Sequence, residues 1–237
     1  VTVVTKPDTH DKRSFHAAAV TPRFAIIAPD VFTTLPKAQI ANATIDVISH
    51  VCERFFSDST HVMLTDRLCI STIETAMQLG LKLYADPSNV DAWAEFALTA
   101  NVAHNGMLGQ GRIEDWGTHG IGHELSAFYD MAHGASLAIA TPAWMRYVSE
   151  HKPARFVQFA REVMHVYEQD EREAIALAID DFAAFCQRLG LATTLTEAGL
   201  ADADLAAMAK SVVKYRPRGQ FYVLHEEDCL RIYEMAL

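Results

Sequence analysis

Residues 117–134 read GTHGIGHELSAFYDMAHG, and the reading of this stretch decides what the surrounding chain is for. Three of the eleven histidines, His119, His123 and His133, fall here among small and apolar residues. His119 and His123 are four apart, which places both on one face if the segment is helical. Imidazoles one helical turn apart form a common metal-ligand pair. The zinc-protease pattern HExxH is not met, because the glutamate follows the second histidine, and HxxEH fails as well.

A second cluster lies upstream. Asp46 and His50 are also four apart, on a segment whose apolar stripe is Ile40, Thr44, Val47, Ile48, Val51 and Phe55. Asn42, Asp46, Ser49, His50, Glu53 and Ser57 fall on the other side. That pattern fits a solvated polar face as well as half of a metal site. Neither cluster alone supplies the four or so ligands a metal needs, so a joint site is the sharper reading. Three neutral imidazoles and one carboxylate would leave a divalent ion with net positive charge and room for an oxygen ligand. Such a donor set suits Fe(II), Zn(II), Ni(II) or Co(II) better than Mg(II) or Ca(II).

The whole chain has 237 residues, half of them hydrophobic, and a net charge of −10. A sizeable core is expected, and a nucleic-acid partner is disfavoured by the acidic balance. No apolar run reaches the twenty or so residues of a membrane span. The four cysteines, Cys52, Cys69, Cys186 and Cys229, form no CxxC, so a disulfide framework or zinc ribbon is not indicated and a reducing cytoplasm is expected.

Residues 1–34 are β-like: VTVVT alternates, KPDTHDKRS is turn-like, and RFAIIAP is a short apolar strand, so the two runs are expected to pair as a hairpin. From residue 35 the signals are helical. Pro36 opens a helix to about Phe56. Others are expected at about 61–84, 90–107, 135–150, 154–168, 171–189, 202–213 and 225–236. The helix at 61–84 is apolar nearly all round and is expected at the centre. Pro142 is expected to kink or end its helix. NGMLGQG (105–111) follows a helix, not a strand, and reads as a loop. His10, His61, His151, His165 and His225 read as surface residues, and His16 and His104 as structural. Trp93, Trp116 and Trp144 read as packing residues. Phe128 and Tyr129 suit either core or pocket. The expected fold is mainly α, a multi-helical bundle (35–237) preceded by a short β-hairpin (1–34).

FAIIAPDVFTTLP (24–36), ANATIDVISHVCE (41–53) and EDWGTHGIGHELSAFYDMAHGASLAIATPAW (114–144) together resemble the iron-containing (group III) alcohol dehydrogenases, in their NADPH-dependent butanol dehydrogenase and aldehyde reductase branch. The resemblance implies a helical C-terminal domain of the dehydroquinate synthase-like type, with Asp46, His50, His119 and His133 as metal ligands. It implies that His123 lies beside nicotinamide and substrate as a catalytic and cofactor-binding group, and that Lys12 contacts the cofactor. It also implies Fe2+ (or Zn2+ or Ni2+) and NADP or NAD as cofactors, a small alcohol or aldehyde as substrate, and a homodimer. The family's glycine-rich phosphate loop and later cofactor stretch are not found in these residues. Residues 1–34 therefore read as a remnant of a dinucleotide-binding domain. A catalytically silent metal-binding module and a helical metallohydrolase remain as alternatives.

Overall fold

The computed structural model describes residues 2–6, 8, 11–15 and 17–237. His10 and His16 lie outside the described residues. Strands β1 (Thr2–Lys6) and β2 (Asp11–Phe15) pair antiparallel, with Val4 opposite Arg13 and Thr5 opposite Lys12. This corrects the expected pairing. The second strand is DKRSF, read above as a turn, while RFAIIAP forms no strand. DKRSF starts at Asp11, close after Lys6 in the chain, so the nearer run takes the partner. Residues 21–28 follow as irregular chain, with Phe24 79% and Ile26 84% exposed.

Helices build the rest. Pro29, fixed near helical φ, starts the short α1 (Pro29–Phe32). Then come α2 (Lys37–Phe55), α3 (Met63–Ala85), α4 (Val90–His104), α5 (Gly117–Tyr129) and α6 (His133–Ser149). They are followed by α7 (Pro153–Glu162), α8 (Glu171–Arg188), α9 (Leu205–Val212) and α10 (Glu226–Met235). Asn89, Asp170 and Asp204 cap α4, α8 and α9 by accepting from backbone N–H groups of the first turn. Residues 105–111 are a loop with a single 3-10 turn, as expected.

The centre is α2 and α6, not α3. Both are buried along most of their length, and α2 packs on α3, α4, α5 and α6 while α6 packs on α5, α8 and α10. Helix α3 buries only the stripe Cys69, Ile70, Thr72, Ile73, Ala76, Gly80 and Leu83, and leaves Met63 and Leu64 exposed. Its uniform apolarity misled because a helix needs partners on every side to be central, and α3 has them on one. Pro142 neither ends α6 nor starts it; the helix runs on to Ser149. Helix α7 stops at Glu162, short of the expected 168. His165 turns to φ 56°, and Met164 N and Val166 N bond back to the carbonyls of Phe159 and Ala160.

An aromatic cluster of Phe55, Phe56, Trp144, Phe156 and Phe159 closes one end, with Phe56 stacked on Phe156 at 4.5 Å between ring centroids. Beside it Asp66 takes Arg155 on both oxygens, at 2.8 Å each, and Arg112 at 2.9 Å. These guanidiniums overcome the cost of its burial and hold the Asp66 carboxyl below the usual range. Arg112 also donates to the Arg54 carbonyl at 2.7 Å, so the loop entering α5 is pinned to the end of α2.

Helices α6 and α2 meet backbone to backbone at Gly134. A Cβ on Gly134 would lie 2.1 Å from the Asn42 carbonyl oxygen and 2.5 Å from Asn42 Cα, both backbone atoms that cannot swing aside. Glycine is therefore required one residue after His133, where α6 rests on Asn42, one helical turn before Asp46. Gly134→Ala is expected to cost about 1–3 kcal/mol by overpacking. Urea denaturation checks this; a midpoint equal to wild type would show that the helices can part freely.

Candidate metal centre

Three elements converge on one point. Helix α2 supplies Asp46, His50 and Glu53, four and then three residues apart and so on one face. Helix α5 supplies His119 from its first turn, and α6 begins at His133. The short link works because Asp130 ends α5 in the left-handed region (φ 52°) and reverses the chain. His50, His119 and His133 turn Nε2 toward the same oxygen, Asp46 Oδ1, at 3.7, 3.9 and 3.3 Å. One donor atom each from Asp46, His50 and His119 lies within 4.8 Å of the other two.

Glu53 explains why His119 points as it does. Its Oε1 accepts from the His119 backbone N–H (2.8 Å) and lies 2.7 Å from His119 Nδ1, while Oε2 accepts from the Trp116 N–H at 2.6 Å. An oxygen already accepting from a backbone donor also accepts from Nδ1, so Nδ1 carries the proton and Nε2 keeps its lone pair. That lone pair faces Asp46 Oδ1, an acceptor. Both atoms are buried without a hydrogen-bond partner, which is costly unless a cation completes the set. The residues thus fit a divalent ion with nitrogen and oxygen ligands, held by a carboxylate–histidine pair behind the ligand.

Trp116 caps the start of α5 at φ 66°, a region that costs a bulky residue on the order of 1–3 kcal/mol. The indole Nε1 donates to Glu114 at 2.7 Å, and the Arg54 guanidinium lies 5.1 Å over the ring. The strained turn sets Trp116 against His50 and His119, at 5.3 and 5.1 Å between centroids. Asp115 anchors the next loop: Oδ2 accepts from Gly117 N, and Oδ1 from Gln220 N (2.6 Å) and Phe221 N (2.7 Å).

The site is electrostatically arranged for a cation. Burial opposes ionisation of Asp46, but His104 and the imidazoles of His50, His133 and His119 prevail and hold its carboxyl well below the usual carboxylate range. Burial, then the neighbouring His119 and His104, push His50 down to about 2. Burial, opposed by Asp46, brings His133 down to about 4. These rings therefore stay neutral and able to ligate at ordinary pH. His123 lies one turn beyond His119, with its ring centroid 5.2 Å from that of His133. Burial and His119, His133, Lys12 and Arg218 push it down to about 2. Lys12, on β2, is close enough to feel Asp46, and its amine is lowered mainly by burial.

All six expected site residues therefore come together, though three expectations need correction. Ser49, Glu53 and Ser57 are not a solvated face of α2; they are 1%, 2% and 3% exposed. The i, i+4, i+7 run of Asp46, His50 and Glu53 is the signal that would have found the glutamate. His104 is not a structural core residue: its side chain is 38% exposed, 3.7 Å from Asp46 Oδ2, with its ring tilted against that of His50 at 4.0 Å between centroids. Trp116 is a wall of the site, whereas Trp93 and Trp144 are packing residues, 2% and 1% exposed. His61, His151, His165 and His225 are exposed, as expected. Phe128 packs against the core, and the Tyr129 hydroxyl accepts from Asp204 N at 2.8 Å, tying α5 to α9.

Two outcomes follow from this geometry. Glu53→Gln puts an amide N–H2 where three donors already point, and is expected to weaken divalent-ion binding about 10–100-fold, read by competition with a chromogenic chelator. Unchanged affinity would remove Glu53 from the site. Secondly, the rings of His50, His123 and His133 resist protonation when folded, whereas in the unfolded chain they take up protons below about pH 6.5. Stability of the metal-free protein should therefore be full above that pH and fall as pH drops toward about 4. A urea midpoint no lower at about pH 5 than at about pH 7.5 would contradict the burial of these rings.

Comparison with known proteins gives the family and the fold. Residues 40–237 match the model of the Fe-containing alcohol dehydrogenase family, C-terminal. The chain is 35% identical over 237 residues to the probable NADH-dependent butanol dehydrogenase 1 of Bacillus subtilis, covering 99% of the chain and 61% of that protein. It is 32% identical to the NADPH-dependent aldehyde reductase YqhD of Escherichia coli, again over 99% of the chain and 61% of the relative. The crystal structure of YqhD from E. coli superposes with a TM-score of 0.95 at 32% identity, over 99% of this chain and 61% of that one. The NADH-dependent butanol dehydrogenase A of Thermotoga maritima does so with a TM-score of 0.93 at 34% identity and the same coverage. The chain thus spans about 61% of the length of these relatives. It belongs to the Fe-containing alcohol dehydrogenase family, and what it carries is that family's helical C-terminal domain.

Proposed function

We propose that this chain is the metal-holding part of a dehydrogenase that interconverts a small alcohol and its aldehyde or ketone with NADH or NADPH. The observation that carries the reading is the pair of buried, partnerless acceptors, Asp46 Oδ1 and His119 Nε2, 3.9 Å apart inside a ring of imidazoles. Asp46, His50, His119 and His133 would hold the ion, ferrous iron being the one the family name points to. A divalent ion there supplies Lewis-acid chemistry toward an alcohol or carbonyl oxygen. The relatives' names, butanol dehydrogenase and aldehyde reductase, support the substrate class, and their NADH and NADPH dependence supports the nicotinamide.

Each residue has a distinct task. Asp46 keeps its charge despite burial and offsets part of the charge of the ion. His50 and His133 stay neutral and give lone pairs, and His119 gives its Nε2. His123 is neutral and weakly basic, so its task is to position: its ring can hydrogen-bond the substrate oxygen or the nicotinamide beside the ion. Lys12 places a cation on the same side, suited to the cofactor's negative groups. Trp116 and the buried stretch of α5 keep water from one flank. We assign residues 1–34 to the edge of a dinucleotide-binding half, since the hairpin delivers Lys12 and residues 21–28 leave apolar side chains uncovered. A silent metal-binding module is the competing reading.

The test is metal content and turnover in parallel. His119→Ala and His133→Ala are expected to lose the ion, seen by elemental analysis, and alcohol oxidation with it. His123→Ala should keep the ion and lower kcat/KM about 10²-fold or more. Full metal in the first two variants would sink the ligand assignment. Metal without any quenching or shift of NADPH fluorescence would favour the silent module.

A further inference from the structure

The donors so far all address one oxygen of Asp46. The other oxygen faces a different histidine. His104, the last residue of α4, places Nε2 3.7 Å from Asp46 Oδ2, the same separation that His50 Nε2 keeps from Oδ1. Its ring centroid lies 4.0 Å from that of His50. The ring is not oriented by chance. Nδ1 lies 2.7 Å from the Ala100 carbonyl oxygen one turn back. A carbonyl only accepts, so Nδ1 donates to it, and Nε2 is the ring nitrogen left facing the carboxylate. A divalent ion seated between this nitrogen and Oδ2 would be bound by both.

The same arrangement recurs on the inner side, where Glu53 fixes Nδ1 of His119 and leaves Nε2 aimed at Oδ1. In both cases an oxygen behind the ring selects the tautomer that can ligate. His133, too, stands outside the trio of Asp46, His50 and His119 and meets the carboxylate at Oδ1, 3.3 Å from its Nε2. His104 has equal standing from the opposite side. It differs in access: its side chain is 38% exposed, against 30% for His133, 20% for His50 and 7% for His119.

We infer that His104 is a fourth nitrogen donor of this centre, acting on the outer oxygen of Asp46, where a divalent ion enters and leaves. The inference rests on the metal reading above. With His104 in place, an ion leaving the inner cage stays held between Nε2 and Oδ2 and returns more often than it escapes. Borderline ions that accept imidazole, Fe(II), Co(II), Zn(II) or Ni(II), are the class expected; Mg(II) and Ca(II) are not.

The test uses cobalt(II) in the intact protein, since its visible bands report the number and kind of ligands. His104→Phe keeps a ring against His50 and removes the donor. It is expected to alter the cobalt bands and to speed cobalt release to a chelator about tenfold, with the melting temperature of the metal-free protein unchanged. His104→Ala opens a solvent-facing gap, and added imidazole should restore the bands and slow the release. Two results would overturn the inference: a His104→Phe protein whose bands and release rate equal wild type, or a His104→Ala protein that imidazole does not restore. If His119→Ala abolishes cobalt binding while His104→Phe changes nothing, the inner site stands and only the outer donor falls. A wild-type protein that takes up no cobalt overturns both.

Discussion

The site depends on one buried carboxylate. Glu53 stands at the meeting of α2 with the start of α5 and accepts three donors there, two from the α5 backbone and one from a ring. Its charge satisfies N–H groups that the first turn of a helix leaves unpaired, where the helix dipole favours an anion. The same contact selects the proton position on His119. A structural cap and a metal-orienting group are therefore one residue, and the first turn of α5 cannot form in this place without aiming His119 at Asp46. Trp116 accepts a left-handed backbone because Glu53, Glu114 and Arg54 hold it from three directions.

Close helix packing completes the geometry. The α6 backbone rests on the α2 backbone at Gly134 and Asn42, and α5 packs on α6 where a Cβ on Gly122 would meet Leu137 at 3.0 Å. Small residues let three helix axes approach until side chains as short as Asp46 and as long as His133 share one point. The cost is a set of buried polar atoms with no protein partner. A core assembled for stability alone would not keep them, since each unpaired buried group costs about 1–3 kcal/mol. The gathering of four of them, on Asp46, His50, His119 and His133, with His50 and His133 held neutral by burial, is what separates a metal cage from a patch of histidines.

Much of this was legible in the residues themselves. The spacing of His119, His123 and His133, and of Asp46 and His50, marked both halves of the site, because helical periodicity is local. The helices after residue 35 followed from the same periodicity. Glu53 was placed on a solvated face because a single helix cannot reveal what covers it. His104 was passed over because fifty-four positions separate it from His50 and nothing in α4 signals the contact. The hairpin was misread because RFAIIAP has the composition of a strand, while pairing is decided by loop length and by what lies alongside.

The sequence by itself determined the helical class, the ligand types and their two local pairs, and the family to which they belong. These rest on contacts a few residues apart or on motif spacing. Only the tertiary structure decided that α2 and α6 are the centre, that Glu53 orients His119, and that the outer oxygen of Asp46 meets His104. Those facts depend on which helix faces cover one another, and that is set by backbone approach at positions such as Gly134, not by the pattern along any one helix.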